Sequence, residues 1–387
     1  MKTTRTPFLV VNKEKSPRKD VYGSIDDSVV RQAQLIRTDE DSRTAFVGMH
    51  PIGSPAYLPA FSHLARLGLH VVAGGTRYTT GDAGLQMENA LLDLAALIRE
   101  TKERLGYERV VLVGWSGGGS LIAAYQAEAE HKTITHTAAG EPSVIADTEF
   151  LRADGVVLMA SHRSRHHLLT DFLDPSIQDE DRPDERDPEL NIYDPANPNK
   201  PPYSPEFVQK YRLAQLDRNR RITARVRERY DRMQSTGRPH DEYCFVVHGT
   251  MADLRWLDPA IDPNDRVPGW SYLGDPRIAN DASSGLARFC TTRGWLSQWS
   301  IDDAQVDAID AAPRITVPVL VVTNSADDAC PASHQRDFFE RVASESKVSA
   351  VIKGANHYFS GDGEQRQYLD EAVESVLAWG TDNDLLI

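Results

Sequence analysis

The sequence predicts an α/β protein: a mostly parallel central sheet flanked by helices, interrupted by an inserted, mainly helical segment. Three observations carry that expectation. Short runs rich in β-branched residues alternate with helix-length stretches from Ala45 to residue 163. The same alternation resumes at residue 312. Between them, residues 164–311 follow a different pattern, first acidic and proline-rich, then helical. Strands buried on both faces and alternating with helices imply a parallel sheet covered by helices.

In the first region, Ala45 to His50 reads as a buried strand, followed by a short helix around Tyr57 to Leu67. His70 to Ala73 is the next strand and Leu85 to Leu105 the next helix, with Met87, Leu91, Leu94, Ala95 and Ile98 at helical spacing. Arg109 to Val113 forms a strand, Ser120 to Ala129 a helix, and Gly155 to Ala160 a further strand. After residue 312, Val317 to Val322 is a strand, Ser333 to Ala343 a helix, Val348 to Ile352 a strand and Gln365 to Trp379 a closing helix. For Val348 to Ile352 the alternation does not show which face is inward; β-branched content and length assign it.

The middle region opens on Asp171 to Asp194, with ten acidic and two basic residues and Pro175, Pro183 and Pro188, an irregular solvated stretch. Ser204-Pro205-Glu206 then reads as an N-cap, a first-turn proline and an acid matched to the helix dipole. A long helix is predicted from there to about Ser235, with an apolar stripe through Phe207, Tyr211, Ala214, Ile222, Val226, Tyr230 and Met233. Nine residues from Lys210 to Arg232 are basic. They form either a nucleic-acid arm or a helix whose charges answer the acidic stretch before it, and the second reading is preferred.

Composition bounds the function. The 387 residues carry 43 Lys and Arg against 57 Asp and Glu, a net charge of −14. Wholesale disorder, collagen and coiled coil are excluded, and non-specific binding to nucleic acid or anionic membranes is disfavoured for want of a basic face. Cys244, Cys290 and Cys330 are too few and too scattered for a disulfide framework or zinc site, and their odd number fits a reducing compartment. Near the start, the longest apolar run is Phe8 to Val11, shorter than a signal-peptide core. The expectation is a cytoplasmic protein with a small-molecule substrate and with neither nucleic acid nor membrane as partner; a homodimer is left open. No metal-ligand spacing or dinucleotide fingerprint stands out, and Gly114 to Gly119 lacks the Lys-Ser/Thr ending of a phosphate loop, so neither cofactor nor metal is expected.

The most informative segment is Arg109 to Ser120. A β-branched strand runs directly into Gly114-Trp115-Ser116-Gly117-Gly118, and a helix follows. A serine at the tip of such a turn sits in strained backbone geometry, its hydroxyl raised above the carboxyl edge of the sheet. The flanking glycines remove Cβ atoms that would collide as strand and helix fold together. The turn also aims the Gly117 N–H and the positive helix end at an oxyanion formed there. The five-residue pattern alone is a weak signal; its coincidence with strand and helix is a stronger one.

At these residues the chain resembles the α/β-hydrolase family, over residues 1–163 and 312–387. The resemblance implies a triad in the order serine, acid, histidine, with the acid after a late strand and the histidine after the last one. Thr323-Asn324-Ser325-Ala326-Asp327-Asp328-Ala329-Cys330-Pro331 is similar to the family's strand-turn-acid segment and selects Asp327, with Asp328 as the neighbouring alternative. Lys353-Gly354-Ala355-Asn356-His357 is similar to the late Gly-x-x-His turn and selects His357. The family usually carries His-Gly after the first parallel strand, whereas this chain reads His50-Pro51-Ile52-Gly53. Proline has no N–H to donate, so the second oxyanion donor is assigned to Ile52, beside Gly117, and His50 to bracing the loop.

The resemblance further implies that 164–311 is a cap or lid above the serine, between a first core part at 1–163 and a second at 312–387. It holds four of the six tryptophans, Trp256, Trp270, Trp295 and Trp299. Trp295 and Trp299, four apart on the helix expected from Thr291 to Trp299, are chosen as substrate-binding candidates. The alternative for each is a place in the cap's own core. The implied activity is a serine hydrolase acting on a carboxylic ester, lactone or thioester of a fairly hydrophobic small molecule through an acyl-enzyme. Acyl transfer, carbon–carbon bond hydrolysis and a non-catalytic ligand-binding role are the alternatives on the same residues.

Overall fold

The alternation of strands and helices builds one eight-stranded sheet in a computed structural model that describes residues 2–15, 19, 26–361 and 363–386. The strands are β1 (Thr4–Lys13), β2 (Ser28–Arg37), β3 (Thr44–His50), β4 (His70–Gly75), β5 (Arg109–Trp115), β6 (Gly155–Met159), β7 (Cys244–Val246), β8 (Phe289–Thr291), β9 (Val319–Asn324) and β10 (Lys347–Ile352). The sheet runs β1-β2-β4-β3-β5-β6-β9-β10, while β7 and β8 form a separate antiparallel pair. From β4 to β10 all neighbours are parallel; β2 is antiparallel to both β1 and β4. The helices are α1 (Pro59–Arg66), α2 (Met87–Glu103), α3 (Gly117–Glu130), α4 (Arg165–Phe172), α5 (Pro205–Ser235), α6 (Pro276–Ala279), α7 (Thr292–Gln298), α8 (Ala308–Ala311), α9 (Ala332–Arg341) and α10 (Gln365–Asp382). This is the α/β-hydrolase architecture that the resemblance implied.

Successive residues of the central strands enter different cores, which explains their unbroken apolar runs. Val47, Leu112 and Val156 pack with Leu91 and Leu94 of α2 and Ile122 of α3. Their neighbours Phe46, Val111 and Val157 pack on the other face with Phe61 and Leu64 of α1 and Val373 and Val376 of α10. Among the described residues no helix is long and apolar enough to cross a membrane.

Two strands of the main sheet, as well as the short β7–β8 pair, were not anticipated. β1 is exposed over most of its length and contains Pro7, both tolerated at a sheet edge, so it carries no buried apolar signature. β2 alternates buried and exposed positions beside it. The strand expected from Val317 starts at Val319, because Pro318 has no N–H to give a neighbour; its carbonyl still accepts the Val156 N–H at 3.0 Å. The helix expected from Ser120 starts at Gly117.

Between β6 and β9 the chain leaves the sheet and forms α4 to α8 with the β7–β8 pair. Ser204 Oγ caps α5 by accepting the Phe207 N–H at 3.2 Å. Most basic side chains of α5 pair with acids, several of them in the preceding acidic stretch: Lys210 with Glu189 at 2.6 Å, Arg218 with Glu180 at 2.7 Å and Arg225 with Asp181 at 2.7 Å.

A buried ion cluster ties the antiparallel edge to the parallel sheet. Asp93 of α2, fully buried, accepts from Arg31 of β2 at 2.7 Å and from Arg77, whose guanidinium also reaches Glu14 at 2.7 Å. Burial alone would raise the Asp93 carboxyl, but Arg77 and Arg31 outweigh it and hold it below its ordinary value. Removing the shared carboxylate leaves the Arg31 guanidinium without its ion-pair partner in the interior and Arg77 with Glu14 alone. Asp93→Ala is therefore expected to lose about 3–5 kcal/mol of stability, read as the urea midpoint multiplied by the unfolding slope. An unchanged midpoint would show that the cluster contributes little.

Candidate active site

The site begins with the turn between β5 and α3. Ser116 is held at φ 54° and ψ −126°, a conformation that costs an L-residue about 1–3 kcal/mol. Its N–H donates to the Met159 and Ala160 carbonyls at 3.2 Å, fixing the turn against the end of β6. The glycines are required by close approach. A Cβ on Gly114 would lie 2.6 Å from Gly119 Cα, and one on Gly118 would lie 2.6 Å from the Met49 carbonyl oxygen of β3.

Asp327 follows β9 and His357 follows β10, so adjacent parallel strands deliver both to the sheet edge that carries Ser116. Asp327 Oδ2 lies 2.9 Å and Oδ1 3.1 Å from His357 Nδ1, and both residues are almost wholly buried. Oδ1 also accepts the Ala329 and Cys330 N–H groups at 2.8 Å. This network assigns the imidazole proton to Nδ1 and leaves the Nε2 lone pair for proton transfer. The Ser116 hydroxyl has Cys330 Sγ at 4.0 Å as its side-chain partner among the described residues.

Asp328 is placed differently. Its backbone carbonyl accepts the Trp256 indole N–H at 2.7 Å, and its carboxyl is pushed up to about 6, first by burial and then by the Asp327 charge. Asn264 donates to the Asp327 carbonyl at 2.7 Å. The segment between β6 and β9 thus clamps the backbone of the acid loop. Around His357 stand Trp115, ring centroids 4.5 Å apart, Tyr358 edge-on at 4.8 Å, and Tyr272 at 6.4 Å.

On the opposite side, Gly117 opens α3, where an N–H has no intrahelical acceptor. Ile52, expected to supply the second oxyanion donor, is held by His50. Nδ1 lies 2.6 Å from the Ile52 carbonyl oxygen and donates its proton there, so it cannot also accept the Ile52 N–H 3.3 Å away. Ile52 is thus folded onto the His50 ring, which braces the loop. What flanks Gly117 is a pair of imidazoles: a Cβ there would lie 3.0 Å from His50 Nε2 and 3.3 Å from His162 Nε2. Burial pushes His50 down to about 4 and His162 well below its ordinary value, so both are neutral at pH 7. His162 escaped the sequence reading, although it follows directly on the strand beside the elbow.

The tryptophan pair chosen from helical spacing is a correction. Trp295 and Trp299 are fully buried with Leu169, Ile222 and Val226, and Trp295 Nε1 donates to Thr223 Oγ1 at 2.9 Å. They pack the core of the inserted segment. Two other aromatic residues of that segment reach the acid loop and the base, Trp256 at the Asp328 carbonyl and Tyr272 facing His357, and no periodicity distinguishes them. His166, His167 and Asp307 bring ligand-type atoms within 4.8 Å of one another, but Arg163 already occupies Asp307 Oδ2 at 2.8 Å.

The sequence profile of the alpha/beta hydrolase family matches residues 49–368. No curated protein sequence matches the chain. Among solved structures, a monoacylglycerol lipase from Paleococcus ferrophilus is similar at 15% identity and TM-score 0.45, over 98% of this chain and 100% of that one. Est1E from Butyrivibrio proteoclasticus is similar at 12% identity and TM-score 0.44, over 92% and 96%. DcsB, solved in complex with a substrate analogue, is similar at 15% identity and TM-score 0.49, over 98% and 99%. The profile match spans most of the sequence, and the chain belongs to the alpha/beta hydrolase family.

Proposed function

We propose that the protein is a serine hydrolase that cleaves a carboxylic ester of a fairly hydrophobic small molecule. The observation that carries this reading is the 2.9 Å contact of Asp327 with His357 Nδ1 beside a serine held at positive φ at the start of a helix. Ser116 Oγ attacks the ester carbonyl carbon while His357 Nε2 takes its proton. The tetrahedral oxyanion lies at the Gly117 N–H and the positive end of α3. His357 returns the proton to the departing alkoxide, leaving an acyl-Ser116 ester. A water, deprotonated by the same nitrogen, then releases the acid and restores Ser116. Asp327 fixes the tautomer and stabilises the imidazolium, and Ala329 and Cys330 fix Asp327.

In this reading residues 164–311 are the cap. Trp256 and Asn264 support the acid loop from it, and Tyr272 closes over His357. The apolar rings around the imidazole favour a substrate with apolar groups near the scissile bond.

Fluorophosphonate probes are expected to label Ser116, and Ser116→Ala is expected to abolish both labelling and turnover of 4-nitrophenyl esters. A label mapped to another residue would mean the nucleophile is misassigned. Asp327→Asn should lower kcat/KM by about 10³–10⁴-fold, whereas Asp328→Asn should leave it within about threefold; the reverse order would exchange their roles.

Asp328 also makes a pH prediction. With its folded value near 6 and an unfolded value near 3.9, the unfolded chain ionises first. Stability therefore falls as pH rises from about 4 to 6, and the full cost is present above that window. Asp328→Asn is expected to gain roughly 2 kcal/mol at pH 8 and almost nothing at pH 3.5, measured by urea unfolding at both values.

A further inference from the structure

Two imidazoles stand against the nucleophile turn and have no part in the triad. The chain leaving β6 wraps around that turn: the Ala160 carbonyl accepts the Ser116 N–H at 3.2 Å, and Ala160 itself is held at φ 44°. Two residues on, His162 is 5% exposed, and its Nε2 lies 3.3 Å from the point where a Gly117 Cβ would stand. His50 Nε2 lies 3.0 Å from the same point. A helical Cα–Cβ bond tilts toward the N-terminus, the end to which the first N–H groups also point. Both nitrogens therefore face the end of α3 at which the Gly117 N–H meets an oxyanion.

The two rings carry their protons differently. His50 Nδ1 donates to the Ile52 carbonyl at 2.6 Å, so its Nε2 holds a lone pair and has no proton to give. The His50 ring also stands between Ile52 and Gly117, with Nδ1 turned to the first and Nε2 to the second. Neither His50 nor Ile52 then adds a donor to the Gly117 N–H. His162 is the reverse case. Among the described residues, its buried Nδ1 has no hydrogen-bond partner. A buried N–H is rarely left without an acceptor, because the lost bond is costly. The ring proton accordingly belongs on Nε2, facing Gly117. Burial keeps the ring neutral at pH 7, and a neutral imidazole can serve as an electrophilic hydrogen-bond donor.

We propose that His162 is a catalytic residue whose Nε2–H donates the second hydrogen bond to the oxyanion. The inference rests on the ester-hydrolase reading. As Ser116 Oγ bonds to the ester carbon, the π pair of the carbonyl moves onto its oxygen. That oxygen accepts from the Gly117 N–H and from His162 Nε2–H, and the proton stays on Nε2 throughout. A side-chain donor thus stands in for the backbone N–H that Pro51 lacks.

The test pairs 4-nitrophenyl butyrate with two inhibitors of the same chain length. One is a trifluoromethyl ketone, which forms a hemiketal oxyanion on Ser116; the other is the corresponding secondary alcohol, which forms none. His162→Ala is expected to lower kcat about 10²–10³-fold, with KM within about threefold. It should weaken the ketone by a similar factor and leave the alcohol within about threefold. Equal weakening of ketone and alcohol, or an unchanged kcat in a destabilised variant, marks a packing role and overturns the proposal. Should His162→Ala fail to fold, 15N NMR of the histidine-labelled wild-type protein decides. A proton on His162 Nε2 that moves downfield in the ketone adduct is expected; a proton on Nδ1, or no shift in the adduct, overturns the proposal. Absence of fluorophosphonate labelling at Ser116 in the wild-type protein would instead overturn the hydrolase reading.

Discussion

Four parallel residue pairs, from Val156 with Val319 to Met159 with Val322, join the two parts of the central sheet. Ser116 lies on one side of this junction in the sequence and Asp327 and His357 on the other, with the whole 164–311 segment between them. Because parallel strands present their carboxyl ends at one edge, the register of β6 on β9 places the three residues at that edge together. The strained turn at Ser116 depends on it too, since its N–H is bound to carbonyls at the end of β6. Strain of this kind persists only where surrounding packing over-determines it. Here Gly114 and Gly118 let helix and strands approach within distances no side chain allows.

The segment between β6 and β9 supports the site through polar contacts to backbone. Trp256 and Asn264 bind the carbonyls of Asp328 and Asp327, so the acid loop takes its shape partly from residues far away in sequence. At the other side of the elbow, His50 and His162 come from the ends of β3 and β6. Burial keeps the two histidines neutral. The −14 net charge of the chain thus describes its surface better than its interior. Much of the acidic block at 171–194 is spent on α5, through Glu180, Asp181 and Glu189.

The central strands were legible because burial on both faces demands continuous apolar residues, as in Val110 to Val113. The helices were legible from their amphipathic spacing and, for α5, from Ser204 and Pro205. The elbow could be read because close approach forces glycine at fixed offsets around Ser116. β1 escaped because an edge strand is half exposed and keeps no such signature. Trp295 and Trp299 misled for a related reason: shared helical spacing says that two rings point the same way, and does not say whether core or cavity lies there.

By itself, then, the sequence determined the elements with local causes: strand and helix periods, the caps, and the glycine-flanked serine. Order along the chain and likeness to the family also pointed to Asp327 and His357. Only the tertiary structure decided which carboxylate meets the imidazole, which aromatic rings surround it, how Ile52 folds onto His50, and that His162 stands against Gly117. Apart from the Ile52–His50 contact, those outcomes depend largely on contacts between residues 30 or more positions apart. Such contacts are set by sheet register and side-chain direction, and neither leaves a local pattern for a sequence to display.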